Sequence, residues 1–164
     1  MIDKVLSLES DTRLTAIKNI ALAEDVYTDH FFGNPIMPGA LQIESLAQAC
    51  TILLEVSHRL KYKALLVMVE KAKFRKSVRP GDQMLIEVNI NSGENNLFYL
   101  DGRISVGGIK VTDAKLVFSL QPVDDYYSPN LKFMTRAMYA NFLRGAELKG
   151  IDQTWGDEYW RQKE

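Results

Sequence analysis

The spacing of apolar and polar residues changes twice along the chain, and each change marks a new set of elements. From Lys63 to Leu120 the period is two. Met84, Ile86, Val88 and Ile90 alternate with polar neighbours, as do Leu116, Phe118 and Leu120, which is the pattern of strands with one buried face. Four runs carry it: ALLVMVEKAKFRK, QMLIEVNI, NLFYLDGRISV and IKVTDAKLVFSL. Turn material separates them, namely Arg79 to Asp82, Asn91 to Asn95, and Gly107-Gly108. The Gly-Gly pair predicts a tight hairpin, because both central positions of such a turn favour positive φ. Upstream, residues 4–9 and 13–22, divided by Ser10 and Asp11, read as a first hairpin.

Between these strand regions, residues 38–60 follow a helical pattern, with Pro38 at the start and His58, Arg59 and Lys61 at the end, an order that suits the helix dipole. Leu41, Ile43, Leu46, Ala47, Ala49, Cys50, Ile52, Leu53, Leu54 and Val56 make this helix apolar nearly all the way round, so other elements have to surround it. The parts predict an α+β fold, a curved antiparallel sheet wrapped around one long central helix. Cys50 is expected in the core and His58 as a surface cation at the helix end. Beyond Pro122 the texture changes again. Asp124 to Pro129 reads as a linker, and Leu131, Met134, Met138, Phe142 and Leu143 predict an amphipathic helix near 130–145. The chain is expected to divide into a domain of residues 1–121 and a C-terminal extension of 122–164. The tail bearing Trp155, Tyr159 and Trp160 carries no period that assigns it an element.

Composition narrows the class. The 164 residues, 46% apolar and 25% charged, are those of an ordinary globular chain. No apolar run reaches the roughly eighteen residues of a membrane span, and the start lacks the basic and apolar regions of a secretory leader. The expected location is cytoplasmic, with no membrane partner. One cysteine rules out a disulfide framework and a clustered thiolate metal site. A net charge of −1 gives no reason to expect nucleic acid. No cofactor and no metal are expected.

The candidate chemistry lies around residues 29–49, DHFFGNPIMPGALQIESLAQA. Taking Glu44 as the origin, Gln48 falls at about 40°, Thr51 at about −20° and Glu55 at about 20° around a helix. They form one polar stripe, which has to face water, a partner subunit or a cavity that holds substrate. The only other polar positions of the helix are Gln42, Ser45 and Ser57. Gly33, Pro35, Pro38 and Gly39 form a stiff loop leading to the helix start, where the first N–H groups are unpaired and the dipole is positive. That end can hold an oxyanion, and glycine at 39 lets a carbonyl approach the backbone. His30 lies in the same loop, and histidine is the side chain best suited to move protons near neutral pH.

The segment from His30 to Ala49 resembles the active-site motif of β-hydroxyacyl-(acyl carrier protein) dehydratases of the FabZ type, in the FabZ/FabA-like hotdog family. The likeness continues in LESDTRLTAIKNIALAED before it and KAKFRKSVRPGDQMLIEVNI after it, covering residues 2–121. The resemblance implies a hotdog fold with an added C-terminal helix, and a dehydratase that converts a carrier-bound 3-hydroxyacyl thioester into the trans-2-enoyl thioester. It implies His30 and Glu44 as the catalytic pair, drawn from different subunits of a homodimer or an assembly of dimers. The Gly39 N–H then polarises the thioester carbonyl, and Phe31, Pro38, Gln48 and Thr51 meet the substrate. The implied partner is acyl carrier protein with its phosphopantetheine-linked chain. Lys71, Lys73 and Arg75 share an outward strand face and, with Lys76 and Arg79, form a candidate docking patch for that acidic carrier. Phe32 stands where the family usually has proline, so a less rigid loop is expected, and Cys50 and Thr51 stand where it tends to have glycines, a change expected to narrow the acyl channel beside the helix. Thioester hydrolysis and non-catalytic carrier binding are the alternative functions.

Overall fold

The structure, a computed structural model, describes residues 1–28, 30 and 33–151. Asp29, Phe31, Phe32 and the tail with Trp155, Tyr159 and Trp160 lie outside the described residues. The elements follow the order β1 (Lys4–Glu9), β2 (Arg13–Asn19), α1 (Gly39–Ser57), β3 (Tyr62–Phe74), β4 (Gln83–Glu94), β5 (Leu97–Val106), β6 (Ile109–Pro122), α2 (Pro129–Leu143) and β7 (Glu147–Lys149). Strand order in the sheet is β3-β6-β5-β4-β2-β1-β7. The first six pair antiparallel. The seventh joins β1 in parallel, Ser7 opposite Glu147, so the sheet is mixed. Nothing in the three-residue run Glu147 to Lys149 signals a strand by period, and the sequence reading missed it.

The turns are those that their residues dictate. Gly107 and Gly108 take φ of 55° and 78° in the β5–β6 hairpin. The β4–β5 connection turns through Asn95 and Asn96, at φ of 51° and 63°, while Asn91 to Glu94 continue β4. Helix α1 ends at Ser57, earlier than the pattern predicts. Arg59 and Leu60 enter left-handed conformations there, and the Leu60 N–H returns to the Glu55 carbonyl at 2.8 Å. His58 corrects its expectation as a surface cation. It is half-buried, its Nδ1 donates to the Leu54 carbonyl at 2.8 Å, and its ring meets Tyr62 and Phe98 edge-on.

The sheet curls around α1, whose Leu46, Ala49, Cys50, Leu53 and Leu54 are fully buried. The approach is closest at Gly102 on β5, where a Cβ would stand 2.8 Å from a methyl of Leu46. Only glycine permits that spacing. Burial pushes the Cys50 thiol well above its usual pKa, as a core cysteine requires. At the margin, β3 shifts register twice against β6, between Leu66 and Met68 and between Val69 and Lys71. Leu66, Val67, Met68 and Val69 are all exposed there.

The C-terminal extension starts beside the first residues of β3, with the Val123 N–H on the Lys61 carbonyl, and rejoins the sheet at β1 through β7. Helix α2, between these two attachments, packs against β1 and reaches α1 through Tyr139. Ser128 caps it, accepting from the Leu131 N–H at 3.4 Å, with Pro129 in its first turn. Its buried face is Tyr139, Ala140 and Leu143, with Phe142 packed beside it, so the C-terminal end of the expected apolar stripe is buried while Leu131, Met134 and Met138 are exposed. The inner face also carries a polar anchor. Tyr139 donates its hydroxyl to Glu55 Oε2 at 2.6 Å, and Glu55 Oε1 accepts from the Ala64 N–H at 3.0 Å and Lys63 Nζ at 2.8 Å. Glu55 is only 1% exposed. Its place in the polar stripe is thus corrected: it faces this chain's own extension, not water, a partner or a cavity.

Burial works against the charge on Lys63, but the hydrogen-bonded Glu55 carboxylate, aided by Tyr127, outweighs it and holds the ammonium above the usual lysine range. Burial first, then Glu55, raises the Tyr139 hydroxyl well above the usual range as well. Stability from both groups is intact below their ordinary values of about 10 and 10.4 and is lost as pH rises through the raised ones. Thermal melts should therefore fall steeply above a pH of about 10, and less steeply in Tyr139→Phe. At neutral pH, urea denaturation of Tyr139→Phe should show a loss of about 1.5–3 kcal/mol, the usual worth of a hydrogen bond to a charged group.

Candidate active site

The loop between β2 and α1 is pinned at several points. After Asn19 it forms a single 3₁₀ turn, Asp25–Tyr27. Tyr27 is buried there, and desolvation, followed by the charges of Glu24 and Asp82, pushes its hydroxyl up to about 12. His30 follows, half-buried, with its N–H on the Val26 carbonyl at 3.3 Å. Gly33 takes φ of 75°, which glycine adopts without strain. Arg79 then reaches across from the β3–β4 connection, its Nη1 donating to Asn34 Oδ1 at 2.7 Å and to the Pro35 carbonyl at 3.4 Å. Met37 is buried, and its N–H bonds the Val78 carbonyl at 2.8 Å.

Pro38, at φ −54° and ψ 138°, turns the chain into α1. Its carbonyl accepts from the N–H groups of Leu41 and Gln42. The Gly39 and Ala40 N–H groups have no partner among the described residues, as the geometry of a helix start requires. A Cβ on Gly39 would stand 2.9 Å from the Phe74 ring, so glycine here also makes room for the end of β3. Phe74 is 51% exposed and hangs over the helix start. The alternation of β3 does not reveal this contact, because Phe74 meets Gly39 only once the strand has run the length of the helix.

Glu44 is exposed a little over one turn into α1, and its Oε1 accepts from Gln48 Nε2 at 2.9 Å. Gln48 and Thr51 are half-buried farther along the same face. The structure thus sets Pro38, Gly39 and Glu44 at the N-terminal end of one helix, with Gln48 at its middle and Thr51 beyond it, and His30 in the loop that leads to the helix. Gln42 is a functional-site neighbour that sequence reasoning passed over. It is buried, donates Nε2 to the Met37 carbonyl at 3.2 Å, and accepts at Oε1 from the Thr112 hydroxyl. A polar residue on an otherwise apolar helix face was the available signal.

The five cations of the candidate docking patch do not act alike. Lys71 and Lys73 are exposed on the outer sheet face, where they line a cleft of about 360 Å³ with Arg103, Lys110 and Lys115, joined by Glu87, Asp101 and Asp113. Arg75 pairs with Asp113, Nε to Oδ1 at 3.0 Å. Slight burial opposes ionisation of that carboxyl, but Arg75 and then Lys110 outweigh it and hold Asp113 below its usual pKa. Lys76 is exposed, while Arg79 is committed to the loop. Arg103 and Lys115 could have been found from the period-2 pattern, since they fall on the outward positions of β5 and β6. Among the described residues no group of three histidine, cysteine or acidic side chains could hold a metal, and no helix is long and apolar enough to cross a membrane.

Residues 1–115 match the FabA-like domain family. The chain is 38% identical over 117 residues to the 3-hydroxyacyl-[acyl-carrier-protein] dehydratase FabZ of Ehrlichia chaffeensis, covering 71% of this chain and 81% of that protein. Against the enzyme of the same name from Oenococcus oeni it is 38% identical over 122 residues, covering 74% and 88%. Solved structures share the fold. A hot-dog-like protein from Thermanaerovibrio acidaminovorans superposes with a TM-score of 0.61 at 14% identity, over 71% of this chain and 86% of that one. A protein of Streptococcus mutans bound to acetyl CoA gives 0.59 at 14% identity, over 73% and 88%.

The Gly39 contact can be tested directly. Gly39→Ala should remain folded at a cost below the roughly 1–3 kcal/mol of an overpacked core, because the half-exposed Phe74 ring can swing aside. Gly39→Ala combined with Phe74→Ala should melt no lower than Phe74→Ala alone.

Proposed function

The chain belongs to the FabA-like family, and from that membership we propose that it is a 3-hydroxyacyl-[acyl-carrier-protein] dehydratase. Its substrate is a 3-hydroxyacyl thioester carried on acyl carrier protein, and its product the trans-2-enoyl thioester, in fatty-acid or specialised lipid or polyketide synthesis. The observation that carries this reading is the helix start. An unpartnered Gly39 N–H and an exposed Glu44 carboxylate lie about one turn apart on α1, at the end of a loop that holds His30 and is braced by Arg79.

Elimination needs a base for the C2 proton, an acid for the departing hydroxyl and a donor for the enolate-like oxygen. His30 takes the C2 proton, and the electrons of that C–H bond form the C2–C3 double bond. Glu44, with a bound water, delivers a proton to the hydroxyl as the C3–O bond breaks and water leaves. The Gly39 N–H donates to the thioester oxygen as negative charge builds on it, a role that commonly contributes about 10²- to 10³-fold. Pro38, Gln48 and Thr51, together with Phe31, contact the acyl part. The acid–base pair and the amide suffice without cofactor or metal, and a cytoplasmic setting suits the carrier.

In this reading His30 and Glu44 of one site come from two protomers of a homodimer. The margin of the sheet supports such pairing. Among the described residues strand β3 has no neighbour on its outer side, and it exposes four consecutive large apolar residues, Leu66 to Val69, an arrangement that a soluble chain normally covers. The carrier approaches the cationic residues at the end of β3. Lys76 and Lys73 are exposed for it, whereas Arg79 shapes the loop. Hydrolysis is the second reading, and His30 argues against it because water removal, not acyl transfer to water, calls for a base at C2.

His30→Ala and Glu44→Gln should each lower the formation of enoyl product from a 3-hydroxyacyl pantetheine by about 10²- to 10⁴-fold, with the fold intact by circular dichroism. Release of free thiol by the unaltered protein would favour hydrolysis. Refolding the two inactive variants together should restore measurable turnover, since a mixed dimer retains one site with both groups. No recovery would place both groups within one protomer.

A further inference from the structure

We infer that Gln42 and Thr112 form a positioning device that aims the Gly39 amide at the substrate, an inference that rests on the dehydratase reading and deepens it. Gln42 is 3% exposed and Thr112 fully buried. Burying a side-chain amide costs free energy unless both of its ends find partners. At this position, between the apolar residues Leu41 and Ile43 and beneath β6, a leucine would fill the space without that requirement.

Both ends of the amide are used. Oε1 accepts from the Thr112 hydroxyl, and Nε2 donates to the Met37 carbonyl at 3.2 Å. The Met37 N–H meanwhile bonds the Val78 carbonyl at 2.8 Å. The Met37 backbone is thus held on both sides, by the segment before β4 and, through Gln42, by β6. Met37 is followed by Pro38, whose ring fixes its own φ and whose carbonyl is held by Leu41 and Gln42 N–H groups. The direction of the next N–H, that of Gly39, follows from those restraints. An oxyanion donor works through its aim at the developing charge, so a small misplacement is costly. The link thus carries the rigidity of the sheet into the peptide that meets the thioester oxygen.

The test compares Gln42→Leu, Thr112→Val and the two combined. Gln42→Leu should lower kcat by about 10- to 100-fold with KM little changed, and should speed amide hydrogen exchange at residues 36–41 but not in β4 to β6. The combined variant removes the orphaned hydroxyl and should regain thermal stability over Gln42→Leu, yet its kcat should stay low because the Met37 carbonyl still lacks its donor. Gln42→Glu, whose protonated acid can make both bonds, should recover turnover relative to the unaltered protein at the same pH as pH is lowered. Restoration of kcat in step with stability in the combined variant, or a Gln42→Leu protein with unchanged exchange at 36–41, would overturn the inference. If the unaltered protein forms no enoyl product, the dehydratase reading fails by itself, and the exchange measurement still decides whether Gln42 holds the loop.

Discussion

A nineteen-residue helix that is apolar on nearly every side cannot stay in water, and the covering of α1 sets most of what the chain does. The sheet meets the helix so closely that β5 gives up its side chain at Gly102 to admit Leu46. At such proximity each polar group on the helix needs its own partner. Ser45 donates to the Leu41 carbonyl, Gln42 joins sheet to loop, and Glu55 gathers a backbone amide, an ammonium and a phenol. Glu44 differs in being exposed, with Gln48 one turn on as its partner.

The two ends of α1 are consequently unlike. The N-terminal end carries amides without partners among the described residues, a carboxylate and a braced loop. Toward the C-terminal end the helix is a structural anchor, its carboxylate spent on α2. The shared fold at 14% identity fixes where such ends lie but not what they do. The functional reading comes from particular residues at the first end and from membership of the FabA-like family.

Much of this was legible in the sequence. Period-2 runs and the Gly-Gly pair located the meander, and the all-apolar helix required a sheet around it. The relation of Gly39 to Glu44 follows from helix geometry alone, five residues of a rigid rod. What the sequence hid was contact at long range. Tyr139 and Glu55 are 84 residues apart and Thr112 and Gln42 are 70 apart, and no local period encodes such pairs. Helix α2 shows the same limit. Its apolar spacing pointed to Leu131, Met134, Met138, Phe142 and Leu143 as the inner face, yet only the last two turn inward, beside a buried phenol on a carboxylate that no apolar pattern marks. The proposed pairing of His30 with a glutamate of another protomer has no signature in the periodicity of a single chain.

The short strand β7 bears on how copies of the protein can add to one another. A sheet with two bare margins can grow without limit, each newcomer offering a fresh place to the next. Here one flank is finished by three residues carrying Glu147 and Lys149, too brief and too charged to recruit another chain. Among the described residues the opposite flank, β3, is the longer bare margin, and molecules with a single adhesive side would join in closed twos rather than fibres.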